Sequence, residues 1–269
     1  MTPGISSYTY TWAVGVPGYM PEKPLNARNL VDKAHTAGIK ILQIADNIPV
    51  EKLSASELEG LKLYAGSKGV ALEMGGRGLT PEHTLQCLNT AYLLGSPLLR
   101  MVIDSAGYEP TLESVIPTIK DLLPEFRKRN IRLAIENHDR LKAREFEKIV
   151  LATDPEIVGI CLDSVNSLGA GEGFETVTEI LAPYTINLHV KDFTIQRVSH
   201  KMGFVVEGCP AGKGMLKIPY LLKKTSQYSR CHSAILELWT PPEQTVEKTI
   251  IKEEKWAQES IDFLKTLLE

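Results

Sequence analysis

The stretch Ile131–Asn166, IRLAIENHDRLKAREFEKIVLATDPEIVGICLDSVN, decides the architecture of this 269-residue chain. It begins with a short apolar run, Ile131–Glu136, and ends with another, Val158–Asp163. The amphipathic pattern between them predicts a helix from Ala143 to Ala152. Two strands joined through a helix lie parallel in one sheet.

The same unit recurs in both directions along the chain. Downstream, a helix is predicted over Phe174–Leu181, strands over Thr185–Val190 and Ser233–Leu238, and a closing helix near Glu253–Leu268. Upstream, the strands read as Leu98–Ile103, Val70–Met74, Lys40–Ala45 and Gly4–Tyr10. Their helices are Asn26–Ala37, closed by Gly38, and Ser54–Ser67, where Ser54 and Glu57 form a capping box. A third helix is capped by Thr80 with Pro81 at its first position and ends at Gly95. The helix Leu112–Lys128 contains Pro117 and Pro124, which are expected to kink or split it. Eight strand–helix units in this length favour a single α/β domain over residues 1–269, a closed (β/α)8 TIM barrel, which typically takes roughly 250 residues. No G-x-G-x-x-G follows the first strand, against an open dinucleotide-binding sheet.

The bulk properties exclude several function classes. A net charge of −3 gives no broad basic surface for nucleic acid. No apolar run approaches the roughly 20 residues of a membrane helix, and Met1–Tyr10 has no signal-peptide pattern. Cys87, Cys161, Cys209 and Cys231 are scattered and are expected as reduced thiols of a cytoplasmic enzyme. The composition leaves room for a homo-oligomer.

Four successive strands end on an ionisable residue: LAIE on Glu136, ICLD on Asp163, INLH on His189 and AILE on Glu237. Barrel enzymes build their active sites at these carboxyl ends. Alternation places Ala134, Cys161, Asn187 and Ile235 below the four, and His138, Lys191 and Trp239 above them. Any one of the four alone reads as a solvated strand end, but their repetition points to a joint site. Three gathered carboxylates repel one another unless a cation sits among them. With one imidazole they suit a single divalent ion, Mn2+ first, with Mg2+, Co2+ or Zn2+ compatible. The absence of thiolates argues against a closed structural zinc site.

With the stretches LAIENHD (Leu133–Asp139), GICLDSVN (Gly159–Asn166), NLHVKD (Asn187–Asp192) and AILELW (Ala234–Trp239), the chain resembles the xylose isomerase-like barrel superfamily. The resemblance implies a metal held by Glu136, Asp163, His189 and Glu237, with Glu136 and Glu237 also exchanging a proton across a substrate carbon. That implies an isomerase or epimerase of a small keto sugar or sugar acid working through a metal-stabilised enediolate. The additional histidines of the related abasic-site endonuclease are missing, which excludes DNA repair. Asn166 stands where epimerases of this group carry histidine, and an amide cannot supply a proton at neutral pH. A lyase, either a decarboxylase of a 3-oxo sugar acid or a dehydratase, is therefore the alternative use of the same site.

Other residues are candidates for substrate contact. Lys191 either acts on a carbonyl or carboxylate or pairs with Asp104 or another acid. His138 contacts substrate or steadies Glu136, and Tyr8 and Trp239 either supply an apolar wall for a sugar or pack in the core. Arg77, in GGRG, is a weaker anion-binding candidate. The long segment from Phe193 to Gly214 is expected as a lid or binding loop that brings Arg197, His200 and Lys201 near the mouth, with Arg197 either a bidentate clamp on a carboxylate or phosphate or a solvated loop side chain.

Overall fold

In the computed structural model, which describes residues Met1–Leu268, the apolar runs pair edge to edge and close on themselves. The chain runs β1 (Thr2–Ser6), α1 (Thr11–Val14), α2 (Ala27–Thr36), β2 (Ile41–Ile44), α3 (Ala55–Ser67), β3 (Ala71–Arg77), α4 (Pro81–Leu94) and β4 (Leu98–Val102). It continues with α5 (Leu112–Arg129), β5 (Arg132–Glu136), α6 (Ala143–Ala152), β6 (Val158–Asp163), α7 (Phe174–Leu181) and β7 (Thr185–Val190). Then come β8 (Phe193–Arg197), β9 (Phe204–Gly208), α8 (Ile218–Ser226), β10 (Ser233–Leu236) and α9 (Val246–Leu268). Strands β1 to β7 and β10 form one closed parallel barrel, with β10 between β7 and β1. Among the described residues no helix is long and apolar enough to cross a membrane.

The barrel strands are apolar because both faces are covered. Leu99, Met101, Leu133, Ile135, Leu162, Leu188 and Val190 are buried in the main core that the helices cover. Burying each such side chain contributes about 1.5–3 kcal/mol. Leu98, Ala134, Cys161 and Ile186 form a separate small cluster. The four cysteines are free and buried.

Register brings the strand ends together. Asp163 pairs with His189, which pairs with Ile235, two residues before Glu237; Glu136 pairs with Cys161, two residues before Asp163. This stagger is what tilted barrel strands require of side chains that share one height.

Several expectations change. The first strand does not extend to Tyr10: it stops at Ser6, and Ser7–Tyr10 coil into a 3-10 turn. The Ser6 hydroxyl accepts from Tyr8 N at 3.0 Å and Ser6 N donates to Thr9 Oγ1 at 2.9 Å. Local hydroxyl–backbone bonds compete with sheet pairing, and here they win. The two prolines do not split α5. They lie seven residues apart on its exposed side, so the carbonyls they leave without partners face water. The segment after β7 is an antiparallel hairpin, β8 with β9, rather than an irregular loop. The closing helix starts at Val246, earlier than expected.

Candidate active site

Glu136, Asp163, His189 and Glu237 converge at the carboxyl end of the barrel and are each at most 2% exposed. His189 Nδ1 lies 3.4 Å from Glu136 Oε2, 3.5 Å from Glu237 Oε1 and 3.8 Å from Asp163 Oδ2. Each candidate ligand atom is oriented by its surroundings. The turn after β6 wraps Asp163 Oδ1 with the N–H groups of Val165 and Asn166, both at 2.8 Å, leaving Oδ2 to face His189 and Lys191. His189 Nε2 meets Gln43 Oε1 at 2.7 Å, leaving Nδ1 free. His189 Nδ1 is buried and makes no hydrogen bond, while Asp163 Oδ2 beside it has the Lys191 ammonium at 3.0 Å. A buried polar atom rarely lacks a partner, so a bare imidazole nitrogen among three carboxylates is an arrangement that a bound cation would account for. The donor set, carboxylate oxygens with one imidazole nitrogen, is what a divalent ion takes, so the residues fit the metal that the sequence pattern implies. Cys161 lies near Glu136 and His189, but burial, followed by the field of Glu136, pushes its thiol well up, and it donates to Asn187 Oδ1 at 3.1 Å. It is a neutral thiol below the site.

Two buried cations flank the carboxylates. Lys191 Nζ lies 2.9 Å from Glu237 Oε2 and 3.0 Å from Asp163 Oδ2. Asp104, the other partner considered for this lysine, pairs instead with Arg140 at 2.5 Å. Burial works against the Lys191 ammonium, but Asp163, Glu237 and Glu136 outweigh it and drive its pKa up. Burial likewise opposes ionisation of Glu237, and His189, Lys191 and Arg100 outweigh it, holding that carboxyl well below its usual range. Ser6 Oγ donates to Glu237 Oε1 at 3.1 Å.

Arg100, from the middle of β4, is the second cation, and sequence reasoning missed it. Its Nε donates to Glu136 Oε2 and its guanidinium reaches Asp46 Oδ1 at 3.2 Å. Its partner Asp46, at the end of the second barrel strand, was also missed. Asp46 takes Tyr8 OH at 3.1 Å and Arg77 Nε at 3.2 Å. Although burial works against its charge, Arg100 and Arg77 keep Asp46 below the usual carboxylate range. Asn166 Nδ2 donates to Glu136 Oε1 at 2.9 Å, so every hydrogen bond to Glu136 comes from a donor.

Above these groups opens a cavity of about 390 Å³ lined by Tyr8, Trp12, Arg77, His138, Lys191 and Trp239, among others. Gly78, with φ +93°, turns the chain after β3 where a Cβ would meet Ser105 Oγ at 2.7 Å, and Arg77 just before it lines the cavity. His138 Nε2 is 3.3 Å from Arg77 and faces the mouth beside it. Lys191 lies over the Trp239 ring, 5.3 Å from its centroid. Trp12, a further residue that the sequence did not flag, is held from the far end of the chain. Its backbone N–H and that of Ala13 donate to the buried Glu253 carboxyl of α9 at 2.9 and 3.0 Å. Burial pushes that carboxyl up to about 7.

Arg197 is not brought to this cavity. It lies exposed on the hairpin, where NH1 donates to the Lys201 carbonyl at 2.8 Å and the guanidinium stacks 4.4 Å from the Phe204 ring centroid. His200 and Lys201 sit at the exposed hairpin tip. Only the base of the hairpin meets the cavity wall, where Gly208 packs against Trp239 with no room for a side chain. Asp192 pins the chain that returns from the hairpin, accepting from Gly212, Gly214 and Leu216 N–H groups at 2.9 to 3.0 Å.

Comparison with known proteins places this geometry in context. The family model of the xylose isomerase-like TIM barrel matches residues 31–267. A 3-oxo-isoapionate decarboxylase of Pectobacterium atrosepticum is 33% identical over 266 residues, covering 99% of this chain and 96% of the relative. Among solved structures, D-psicose 3-epimerase from Clostridium cellulolyticum H10, with D-tagatose, superposes with a TM-score of 0.75 at 16% identity over 100% of both chains. A xylose isomerase-like TIM barrel protein from Mycobacterium smegmatis in complex with magnesium superposes at 0.69 and 12% identity over 97% of each chain.

Proposed function

The chain belongs to the xylose isomerase-like TIM barrel family, and from that premise we propose that it is a divalent-metal-dependent decarboxylase of a small 3-oxo sugar acid. The observation that carries this reading is the clamping of both glutamates by buried cations, Glu136 by Arg100 and Glu237 by Lys191. Epimerisation needs one carboxylate to remove a proton and a protonated carboxyl opposite to return one. Here the Arg100 guanidinium and the Asn166 amide donate to Glu136, and the Lys191 ammonium and the Ser6 hydroxyl face Glu237, an environment that favours carboxylates over a carboxylic acid on either side. Decarboxylation needs no such base. The C1–C2 bond breaks, CO2 leaves without the bonding pair, the pair enters the C2–C3–O system as an enediolate, and one proton from water adds at C2.

Glu136, Asp163, His189 and Glu237 would hold the ion, and Mn2+, Mg2+, Co2+ and Zn2+ all suit that donor set. When bound, the ion supplies positive charge that stabilises the enediolate. Lys191, held as an ammonium, is a charge partner for substrate oxygen rather than a proton source. Arg77 and His138 at the mouth are suited to the substrate carboxylate, Asn166 to a hydroxyl, and Tyr8 and Trp239 to the carbon skeleton. The four free thiols suit a cytoplasmic setting. The relative that decarboxylates 3-oxo-isoapionate supports the same chemistry.

The test is CO2 release from 3-oxo-isoapionate and related 3-oxo acids by the metal-loaded protein, with one deuterium appearing at C2 in D2O. Glu136 and Glu237 both line the cavity, which favours a ketose epimerase as second reading. Deuterium exchange into ketoses, with no CO2 from any 3-oxo acid, would replace the first reading by the second.

A further inference from the structure

Below the four ligands the barrel interior holds a closed polar layer: Gln43 from β2, Glu73 from β3, Asn187 from β7 and Ser233 from β10. Glu73 is 4% exposed and the other three at most 1%. Polar groups buried this deeply persist only when bonded, and here the bonds have a readable direction. Glu73 Oε2 is approached by two amide nitrogens, Gln43 Nε2 at 3.0 Å and Asn187 Nδ2 at 3.1 Å. An oxygen facing two N–H donors accepts from both, whether or not the other carboxyl oxygen carries a proton.

That acceptor orients everything around it. The Asn187 amide nitrogen points at Glu73 and also meets Ser233 Oγ at 2.7 Å, so its oxygen faces Cys161 and Gln43. The Gln43 nitrogen is fixed between Glu73 and Asn187, so its oxygen must face His189 Nε2, 2.7 Å away. An amide oxygen only accepts, so the Nε2 nitrogen carries a proton. Nδ1 is left as the coordinating atom, aimed at Glu136, Asp163 and Glu237. With the Gln43 amide reversed, Nδ1 would instead carry a proton toward those carboxylates, and its lone pair would be lost to a metal.

We propose that Glu73 is a positioning residue for the metal: by orienting the Gln43 amide, it selects the His189 tautomer that coordinates through Nδ1. Neither Glu73 nor Gln43 lines the cavity, so neither touches substrate there, and the Gln43 amide is the link from Glu73 to His189. Partners behind a ligand histidine typically change metal affinity by about 10–100-fold when removed.

This inference rests on the metal reading of the proposed function, and the experiment separates the two. Affinity for Co2+ is measured by titration of chelator-stripped protein, with the visible Co2+ spectrum as a second readout. Wild type is compared with Glu73→Gln and with the exchanged pair Gln43→Glu/Glu73→Gln. Glu73→Gln lets both amides reverse, and we expect about 10–100-fold weaker binding with an altered spectrum. The exchanged pair puts a pure acceptor beneath His189 again and is expected to recover wild-type affinity to within about threefold, which generic damage to the interior would not allow.

The wild-type protein supplies an independent measurement that needs no variant to fold. Imidazole 15N shifts of histidine-labelled, Zn2+-loaded protein should show His189 protonated at Nε2 and metal-bound at Nδ1, assigned by loss of the signal in His189→Gln. A proton on Nδ1, or Glu73→Gln binding Co2+ as tightly as wild type, overturns the positioning role. Wild-type protein that takes up no divalent ion overturns the metal reading itself.

Discussion

Replacing Arg100 by Met removes the guanidinium that Glu136 and Asp46 share while roughly keeping side-chain length. Arg100 and Glu136 are 2% and 1% exposed, so solvent screening does not discount their pairing. Removing one partner of a buried pair costs about 3–5 kcal/mol, because the other charge stays buried. Asp46 adds less, since it is 23% exposed and keeps Arg77. At about 2–4 °C per kcal/mol for a chain of this size, Tm should fall by roughly 6–20 °C in metal-free buffer at pH 7. The pH dependence has a definite sign. Asp46 has a depressed pKa in the native state, so its contribution is present above its ordinary value of 3.8 and is lost as pH falls through the native value. Without Arg100 part of that contribution is gone, because only Arg77 and Tyr8 still favour the charge, so the gap between the two proteins should narrow in acid. The assay is thermal unfolding followed by circular dichroism from pH 7 downward, in the presence of chelator. A loss below about 1 kcal/mol at pH 7, the scale of an exposed pair, would refute the reasoning. A gap that stays constant into acid would refute it as well.

Three further outcomes follow from other parts of the structure. Chelation should lower stability by about 2.7 kcal/mol relative to protein holding free ion at 100 times its Kd, with recovery when ion is returned; an unchanged Tm would count against a bound metal. Glu253 has a raised native pKa of about 7 against an ordinary 4.5, so its favourable contribution is complete below 4.5 and is lost as pH rises toward 7. Urea unfolding across that window should show wild type losing up to about 1.4 kcal/mol per pH unit relative to Glu253→Gln, and parallel pH profiles would rule this out. Replacing hairpin residues 198–203 by a tight Asn-Gly turn should leave kcat/KM within about twofold, because the tip does not line the cavity. A tenfold loss would mean that the hairpin covers substrate during turnover.

The barrel was legible because its signals are local: apolar runs, caps and helical periods repeat in order along the chain. Helices Ala143–Ala152 and Phe174–Leu181 and strands Val158–Asp163 and Thr185–Val190 match the structure residue for residue. The convergence of Glu136, Asp163, His189 and Glu237 was legible for a related reason, since parity and strand ends follow from fold class. Arg100 carried a usable signal, an arginine inside the apolar run LLRMV, where a charge must be paired to be tolerated. What could not be read was its partners, because Asp46 and Glu136 are brought to it only by closure of the barrel. Asp46 itself ends an apolar run, ILQIAD, as the four ligands do, and the same rule applied to every strand would have found it. The Ser6–Tyr10 segment was misjudged because β-propensity there is overridden by hydroxyl groups bonding their own backbone. Arg197 was misplaced because loop position was taken as proximity, whereas pairing of β8 with β9 carries it outward.

The clasp between Glu253 and the backbone of Trp12 and Ala13 bears on how the protein is made. Synthesis proceeds from the N-terminus, so β1 and the Trp12 segment emerge before β10 and α9 and wait for both. Until β10 emerges the barrel lacks its closing seam with β1, and until α9 follows the cavity lacks the support of one wall. A nascent chain can therefore build most of the core while still unable to hold substrate. Competence arrives only once α9 is in place, and a shortened α9 would disable the cavity through a helix that contributes no residue to its lining.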